Sequence, residues 1–357
     1  MTKVRLNLTK ERRSLPDEAT LGFGRIFTDH MFTMTYETGK GWHNPTIEPY
    51  RDFDMSPSTM TLHYGQAIFE GIKAFKTADH RIAVFRPKDY LARFNRSADI
   101  LCIPQMDVEA VYDGLKQLLE VEKNWVPSKF GTALYIRPLV FATDHYVGVK
   151  VADTYKLVIM LSPVGAYYEH GFDPVSLKVE DKFVRACPGG LGEAKTPANY
   201  AASLRAGEVA VQEGFDQVLW LDAVHRKYIE EVGSMNIVFK INGELVTPAL
   251  TGSILGGMTR RTVLELARDW GMKATERVIS IDELYEAHAK GQLEEVFGTG
   301  TAAVISPVGS LTWKGKKIVI NNNQTGPIAH KLFTAVTDLQ YAKVQDTHGW
   351  VDFVTKV

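Results

Sequence analysis

The apolar positions of this chain change period several times. Residues 81–85 place Ile82 and Val84 on one face of a strand. Pro87-Lys88-Asp89 then opens a helix that carries Leu91, Phe94, Ala98 and Leu101 on one stripe. The pattern predicts a second helix over 108–121, stopped ahead of Trp125-Val126-Pro127. Residues 132–138 alternate, with Leu134 and Ile136 facing one way and Ala133, Tyr135 and Arg137 the other. Residues 155–161 form a largely apolar strand with Lys156 its one charge.

Pro and Gly punctuate 162–174, and the domain boundary is placed there. The organisation expected is a small N-terminal α+β domain over 1–163, an interdomain loop over 164–174 and a larger domain over 175–357. The second half opens with a strand at 175–179. An Ala-rich helix follows over 200–213, closed by Gly214, and then a buried strand over 217–221. Asn242-Gly243 joins strands 235–240 and 244–246 as a hairpin. Helices are predicted over 258–270, ended by Gly271, and over 281–290. Residues 294–297, 298–300 and 301–305 read as strand, turn and strand. Strands and helices alternate without a strict βαβ rhythm, so the class is α+β rather than a doubly wound parallel sheet.

Composition narrows the function. The 357 residues are 45% apolar and 23% charged, with net charge -1, so a sizeable core is available and nothing draws the chain to nucleic acid. Cys102 and Cys187 are the only cysteines, and no CxxC occurs. Zinc ribbons, disulfide scaffolds and thioredoxin-like chemistry are excluded, no metal is expected, and both thiols read as reduced. No apolar run approaches the roughly 20 residues of a membrane span, and the basic first fifteen residues lack the apolar core of a secretory signal. The compartment expected is the cytoplasm.

The candidate chemistry centres on Gly189-Gly190-Leu191-Gly192-Glu193-Ala194-Lys195-Thr196-Pro197-Ala198-Asn199-Tyr200. A lysine among small residues leaves room for a flat ring beside its amine, as a Schiff-base lysine for pyridoxal 5'-phosphate (PLP) requires. The rival is a phosphate-binding loop. Gly189 through Thr196 matches GxxxxGK[ST] except at Ala194, and 218–222 resembles an apolar strand ending in a magnesium-holding Asp. Ala194 and Pro197 oppose that rival: one adds a Cβ where backbone must approach phosphate, the other removes an N–H. Leu255-Gly256-Gly257-Met258-Thr259-Arg260 opens a helix whose first N–H groups form an anion site or an ordinary Gly-rich turn. Gly298-Thr299-Gly300-Thr301-Ala302 caps the same anion or is a plain hairpin turn. Arg93 lies off its helix's apolar stripe. Glu230 and Glu231 offer a carboxylate to a pyridine nitrogen, or are surface groups. Tyr135 and Arg137 share a strand face and offer a phenol and a guanidinium to one carboxylate substrate.

Together these segments resemble the branched-chain amino acid aminotransferases, fold-type IV PLP enzymes. The match runs from about Gly22 to Asp352 and is nearest the branch holding the animal enzymes and some bacterial ones. The blocks carrying it are Leu62-His63-Tyr64, Phe69-Glu70-Gly71-Ile72-Lys73-Ala74-Phe75, Leu134-Tyr135-Ile136-Arg137-Pro138, Lys195 with Asn199-Tyr200, Glu231-Val232-Gly233-Ser234-Met235-Asn236, Gly257-Met258-Thr259-Arg260-Arg261 and Phe297-Gly298-Thr299-Gly300-Thr301-Ala302. The resemblance implies a two-domain fold of the D-amino acid aminotransferase type with the cofactor between the domains. It makes Lys195 the catalytic Schiff-base lysine, sets Glu231 at the pyridine nitrogen and Tyr200 at the ring's 3′ oxygen, and gives the phosphate to Arg93, Arg185, Met258, Thr259, Gly300 and Thr301. Tyr64, Phe69, Tyr135, Tyr200, Ser234 and Ala302 would line the substrate site. Arg137 and the loop at Val147 and Val149 would cross into a neighbouring subunit's site, so a homodimer follows.

The reaction implied moves an amino group between leucine, isoleucine or valine and 2-oxoglutarate, with glutamate and branched 2-oxo acids as products. Alternatives within the fold are a D-amino acid aminotransferase and an aminodeoxychorismate lyase; outside it, a P-loop NTPase. Two positions depart from the family pattern. Ala303 and Ser306 stand where the animal enzymes carry a CxxC, and Thr196-Pro197-Ala198 follows the lysine where glycine is common.

Overall fold

A computed structural model describes residues 3–165 and 172–357. Residues 166–171, within the loop expected over 164–174, lie outside the described residues. The chain divides into two compact units. The first holds Met1–Tyr167, Ala194–Pro197 and Asp338–Val357, the second Tyr168–Glu193 and Ala198–Thr337.

In the first unit the strands run β1 (Arg5–Leu6), β2 (His30–Glu37), β3 (Gly41–Pro49), β4 (Ala67–Phe69), β5 (Ile72–Lys76), β6 (Arg81–Phe85), β7 (Ala133–Ala142) and β8 (Thr154–Val164). Its helices are α1 (Met60–Tyr64), α2 (Pro87–Ile100) and α3 (Val108–Val121). The α2 helix starts after Arg86, which holds φ 52°, with Pro87 in the first turn. The α3 helix starts where Asp107 accepts from the Glu109 and Ala110 amides. α2 buries Leu91, Phe94 and Ala98 of the stripe that the periodicity marks, and α3 buries Val111, Leu115 and Leu118.

β7 runs four residues past its predicted end at Pro138. The proline is tolerated because it faces the break between β4 and β5. Its carbonyl accepts from the Glu70 amide at 2.9 Å there, and its nitrogen points to the same side, where no ladder donor is needed.

The second unit contains β9 (Val175–Glu180), β10 (Gln217–Leu221), β11 (Ile229–Val232), β12 (Met235–Ile241), β13 (Glu244–Pro248), β14 (Ala274–Arg277), β15 (Leu293–Gly300), β16 (Val304–Trp313) and β17 (Lys316–Val319). With them go α4 (Pro197–Gln212), α5 (Met258–Asp269), α6 (Ile281–Ala289) and α7 (Pro327–Gln340), which runs on into the first unit. The sheet order is β11-β10-β9-β16-β15-β12-β13-β14, with β17 on β16. Leu177, Leu219, Leu221, Ile237, Phe239, Leu284 and Leu311 form the centre of its core.

Two local readings change. α4 begins at Pro197, three residues before its predicted start, because a proline's preset φ and missing N–H suit a first helical turn. β15 runs through Gly300, and the turn falls at 301–303 rather than 298–300. The glycines there serve clearance, not turning. A Cβ on Gly298 or Gly300 would come within 2.9 Å of the Met235 side chain on the neighbouring strand.

The contiguous C-terminal domain expected over 175–357 is corrected as well. After α7, β18 (Val351–Lys356) pairs antiparallel with β6, completing a first sheet ordered β1-β3-β2-β8-β7-β5-β6-β18 with β4 on β7. An edge strand such as β6 leaves a row of unpaired backbone groups, which the distant C-terminal segment satisfies. Among the described residues no helix is long and apolar enough to cross a membrane.

Candidate active site

In the first unit, backbone hydrogen bonds fix Lys195 from both sides. Its N–H donates to the Ser97 hydroxyl on α2 at 2.9 Å, and its carbonyl accepts from the Phe69 amide on β4 at 3.0 Å. The Thr196 hydroxyl donates to the Ala67 carbonyl at 2.8 Å and is fully buried. That contact uses the group which a nucleotide loop would need for magnesium. Asp222, in the second unit, accepts from the backbone amides of Val224, His225, Lys227 and Tyr228 and closes a turn.

The Lys195 amine lies 4.9 Å from the centre of the Phe69 ring, and the Arg137 guanidinium lies 4.7 Å from the same ring. Arg137 therefore lies against the same ring as its own chain's lysine. Strand alternation puts Tyr135 and Arg137 on one face of β7, and Arg137 Nη2 donates to the Tyr135 hydroxyl at 3.0 Å. The Tyr135 ring packs edge-on against Phe23. Gly71 makes room for it, since a Cβ there would lie 2.2 Å from the Tyr135 oxygen. Tyr64 is 41% exposed at the end of α1. Val147 and Val149 are 64% and 86% exposed, with Tyr146 and Val151 also held out to solvent.

Arg93 is buried and makes a forked pair with Glu70, Nε to Oε1 at 2.7 Å and Nη2 to Oε2 at 2.8 Å. The sequence reading missed Glu70. Its signal was an acid inside the otherwise apolar run 67–72. Lys73, opposite Tyr135 in the β5–β7 ladder, was also missed. It is partly exposed as a residue, yet burial of its amine lowers its pKa to about 8.

The second unit carries the remaining candidates. Glu231 is buried on β11. Its Oε1 accepts from Asn236 Nδ2 and from the Leu255 amide, each at 3.0 Å, and its Oε2 lies 2.9 Å from Arg185 Nε. The resemblance puts Arg185 on the phosphate; its contacts here are to this carboxylate and, through Nη2, to the carbonyls of Gly192 and Ser253. The adjacent Glu230 differs. Burial pushes its carboxyl pKa up against the Ser253 hydroxyl and the Arg185 charge, and its Oε2 is buried without a hydrogen-bond partner. Of the two acids, Glu231 is the one surrounded by donors that favour an anion.

Met258 and Thr259 are buried in the first turn of α5, and Gly257 at its N-cap supplies no side-chain cap. The first-turn amides of a twelve-residue helix therefore point at the space before it, which suits a phosphate. Gly300 ends β15, and Thr301 and Ala302 form the following turn. Ser234 is exposed in the β11–β12 turn, and Tyr200 is half-buried in the first turn of α4. A buried carboxylate held for one orientation and an uncapped helix start in the same unit are the parts a phosphorylated pyridine requires, so the residues present fit PLP.

Residues 67–311 match the family described as amino-transferase class IV. The chain belongs to the class-IV aminotransferases, a PLP-dependent family. It stands there with the branched-chain-amino-acid aminotransferases. It is 54% identical over 352 residues to branched-chain-amino-acid aminotransferase 2 of Bacillus subtilis (strain 168), covering 98% of this chain and 97% of that protein. Among solved structures it resembles the Escherichia coli branched-chain amino acid aminotransferase, with TM-score 0.76, 27% identity, and coverage of 92% and 99% of the two chains. It also resembles the T.th. branched-chain amino acid aminotransferase with pyridoxamine 5'-phosphate, with TM-score 0.74, 27% identity, and coverage of 90% and 98%.

Proposed function

We propose that this protein transfers the amino group between leucine, isoleucine or valine and 2-oxoglutarate, with PLP carried on Lys195. The observation that supports the reading most directly is the placement of Lys195. Its backbone is fastened on both sides, and its amine shares the Phe69 ring with Arg137. Such fastening holds a reacting amine in one geometry. When bound, PLP supplies an electron sink that makes the proton at the substrate's Cα removable.

The chain's own groups do the rest. Lys195 takes and returns the Cα proton. Glu231, held by Asn236, Leu255 and Arg185, stays beside the ring nitrogen. The first turn of α5, with Gly300 and Thr301, receives the phosphate; Arg93 and Arg185, paired here with Glu70 and Glu231, are the side chains that the resemblance adds to that end. Tyr200 meets the ring oxygen. Tyr64, Phe69, Ser234 and Ala302 line the space for a branched side chain, which an aromatic wall accommodates. Tyr135 and Arg137 give the second carboxylate of 2-oxoglutarate its donors. The exposed apolar run Tyr146, Val147, Val149 and Val151 supports a homodimer in which this loop meets a second copy. The unpaired Cys102 and Cys187 accord with a cytoplasmic enzyme.

The test is the visible absorption spectrum of the purified protein before and after L-leucine, with D-alanine and ATP as controls. A yellow band that L-leucine alone bleaches to the amine form of the cofactor is the expected result. A response to D-alanine instead, or no colour after incubation with PLP, overturns the reading.

A further inference from the structure

We infer that Asn236 is a positioning residue that couples the Glu231 carboxylate to the turn opening α5, and so holds the ring-nitrogen end and the phosphate end of the cofactor site in one register. The inference rests on the roles proposed above for Glu231 and for the start of α5.

Asn236 is buried on β12, directly across from Glu231 on β11, so both side chains lie on the same face of the sheet. Its amide nitrogen has two hydrogens, and both find acceptors. One goes to Glu231 Oε1 at 3.0 Å, the other to the Leu255 carbonyl at 2.8 Å. The Leu255 N–H returns to the same Oε1 at 3.0 Å, closing a ring of three hydrogen bonds between carboxylate, amide and turn. The opposite amide orientation would set an oxygen against two acceptors, so the network allows only this one. The amide oxygen then faces Gly257, where a Cβ would lie 1.9 Å away. Asn236 therefore fits only because residue 257 is glycine, and residue 257 is the N-cap of α5. One side chain thus sets the Glu231 rotamer and the position of the first helical amides. Aspartate would place a second anion against Oε1, and alanine would release both partners.

The experiment compares the wild type with Asn236→Ala, Asn236→Ser and Glu231→Gln, each with PLP and stripped of it. Three quantities are read: the pH midpoint of the cofactor's visible band, the PLP dissociation constant, and the melting temperature of the stripped protein. Asn236→Ala is expected to move the midpoint in the same direction as Glu231→Gln and to weaken PLP binding about tenfold, the size of one charge-assisted hydrogen bond. Asn236→Ser, which keeps one donor, is expected to fall between it and the wild type. A lower melting temperature of the stripped protein with midpoint and PLP affinity unchanged would make Asn236 a structural latch only, and the inference would fail. Should Asn236→Ala not fold, an unchanged midpoint in Asn236→Ser has the same consequence. If Glu231→Gln itself leaves the midpoint unmoved, the reading of Glu231 fails first; if only the Asn236 variants leave it unmoved, that reading stands and the inference alone is lost.

Discussion

Glu70 in the first unit and Glu231 in the second are both buried acids beside an arginine, and the chain treats them differently. Both oxygens of Glu70 are taken by the fork of Arg93, and the Gly71 amide adds a further donor. At Glu231, Arg185 Nε lies 2.9 Å from one oxygen, while a neutral amide and a backbone N–H donate to the other. At Glu70 one charged side chain satisfies both oxygens; at Glu231 the work is shared among three separate groups. The first arrangement fastens the segment between β4 and β5 to α2, one residue beyond the Phe69 amide that meets Lys195. The second keeps an anion aimed in one direction. Loss of Glu70 should therefore be felt as stability, and loss of Glu231 as chemistry.

The strongest probe of that contrast removes the amine proposed to react and leaves both acids alone. Lys195→Ala should retain the fold by circular dichroism and bind PLP without fixing it covalently, with turnover at background; near-normal turnover would end the assignment of Lys195. Next comes Glu70→Ala, which removes the forked partner of the buried Arg93. Urea unfolding should show a loss of about 3–5 kcal/mol, as for other broken buried pairs. A loss under about 1 kcal/mol would mean that the fork contributes little.

Glu231→Gln keeps the side chain's shape and should lower melting less than Glu70→Ala does, with kcat down about 10²-fold, since the ring loses the anion proposed beside its nitrogen. Unchanged kcat would remove Glu231 from the ring nitrogen.

A smaller effect is expected at Gly71. Gly71→Ala pushes on the Tyr135 hydroxyl and should raise KM for 2-oxoglutarate about tenfold, roughly one hydrogen bond to a charged group, with less change for a branched 2-oxo acid. Adding Tyr135→Phe removes the obstructed oxygen, so the double variant should match Tyr135→Phe alone. Additive losses would show that the two positions are independent.

The smallest effect concerns Lys73. Its folded pKa of about 8 lies below its ordinary value of 10.5, so the unfolded chain binds the extra proton between those values. Stability should therefore rise with pH across that window, by at most about 1.4 kcal/mol per pH unit, and Lys73→Met should flatten the rise in urea midpoints measured from about pH 7 to pH 10.5. An identical slope in both proteins would place the proton uptake elsewhere.

Much of this was legible in the chain itself. Periodicity located α3 and β10 at their observed bounds, because a helix stripe or a buried strand is written in neighbouring residues. Lys195, Glu231 and the glycines before α5 stood out as residue types in a chemical order. The partner of Arg93 did not, since Glu70 lies 23 positions away in a segment that reads as plain strand. Nor did the work of Asn236, whose two acceptors are brought to it by β11 and by a turn 19 residues downstream. Gly298 and Gly300 misled the turn assignment, because a glycine that gives way to a neighbour's methionine looks the same in sequence as one that bends the chain.

The sequence by itself determined the local elements, the α+β class and which residue types were available for chemistry, all of which depend on near neighbours along the chain. Only the tertiary structure decided that β18 closes the sheet at β6, that Ala194–Pro197 joins the first unit, and which of two adjacent glutamates is held as the oriented anion. Those outcomes depend on backbone groups needing partners and on charges needing donors, and the partners that satisfied them came from far along the chain.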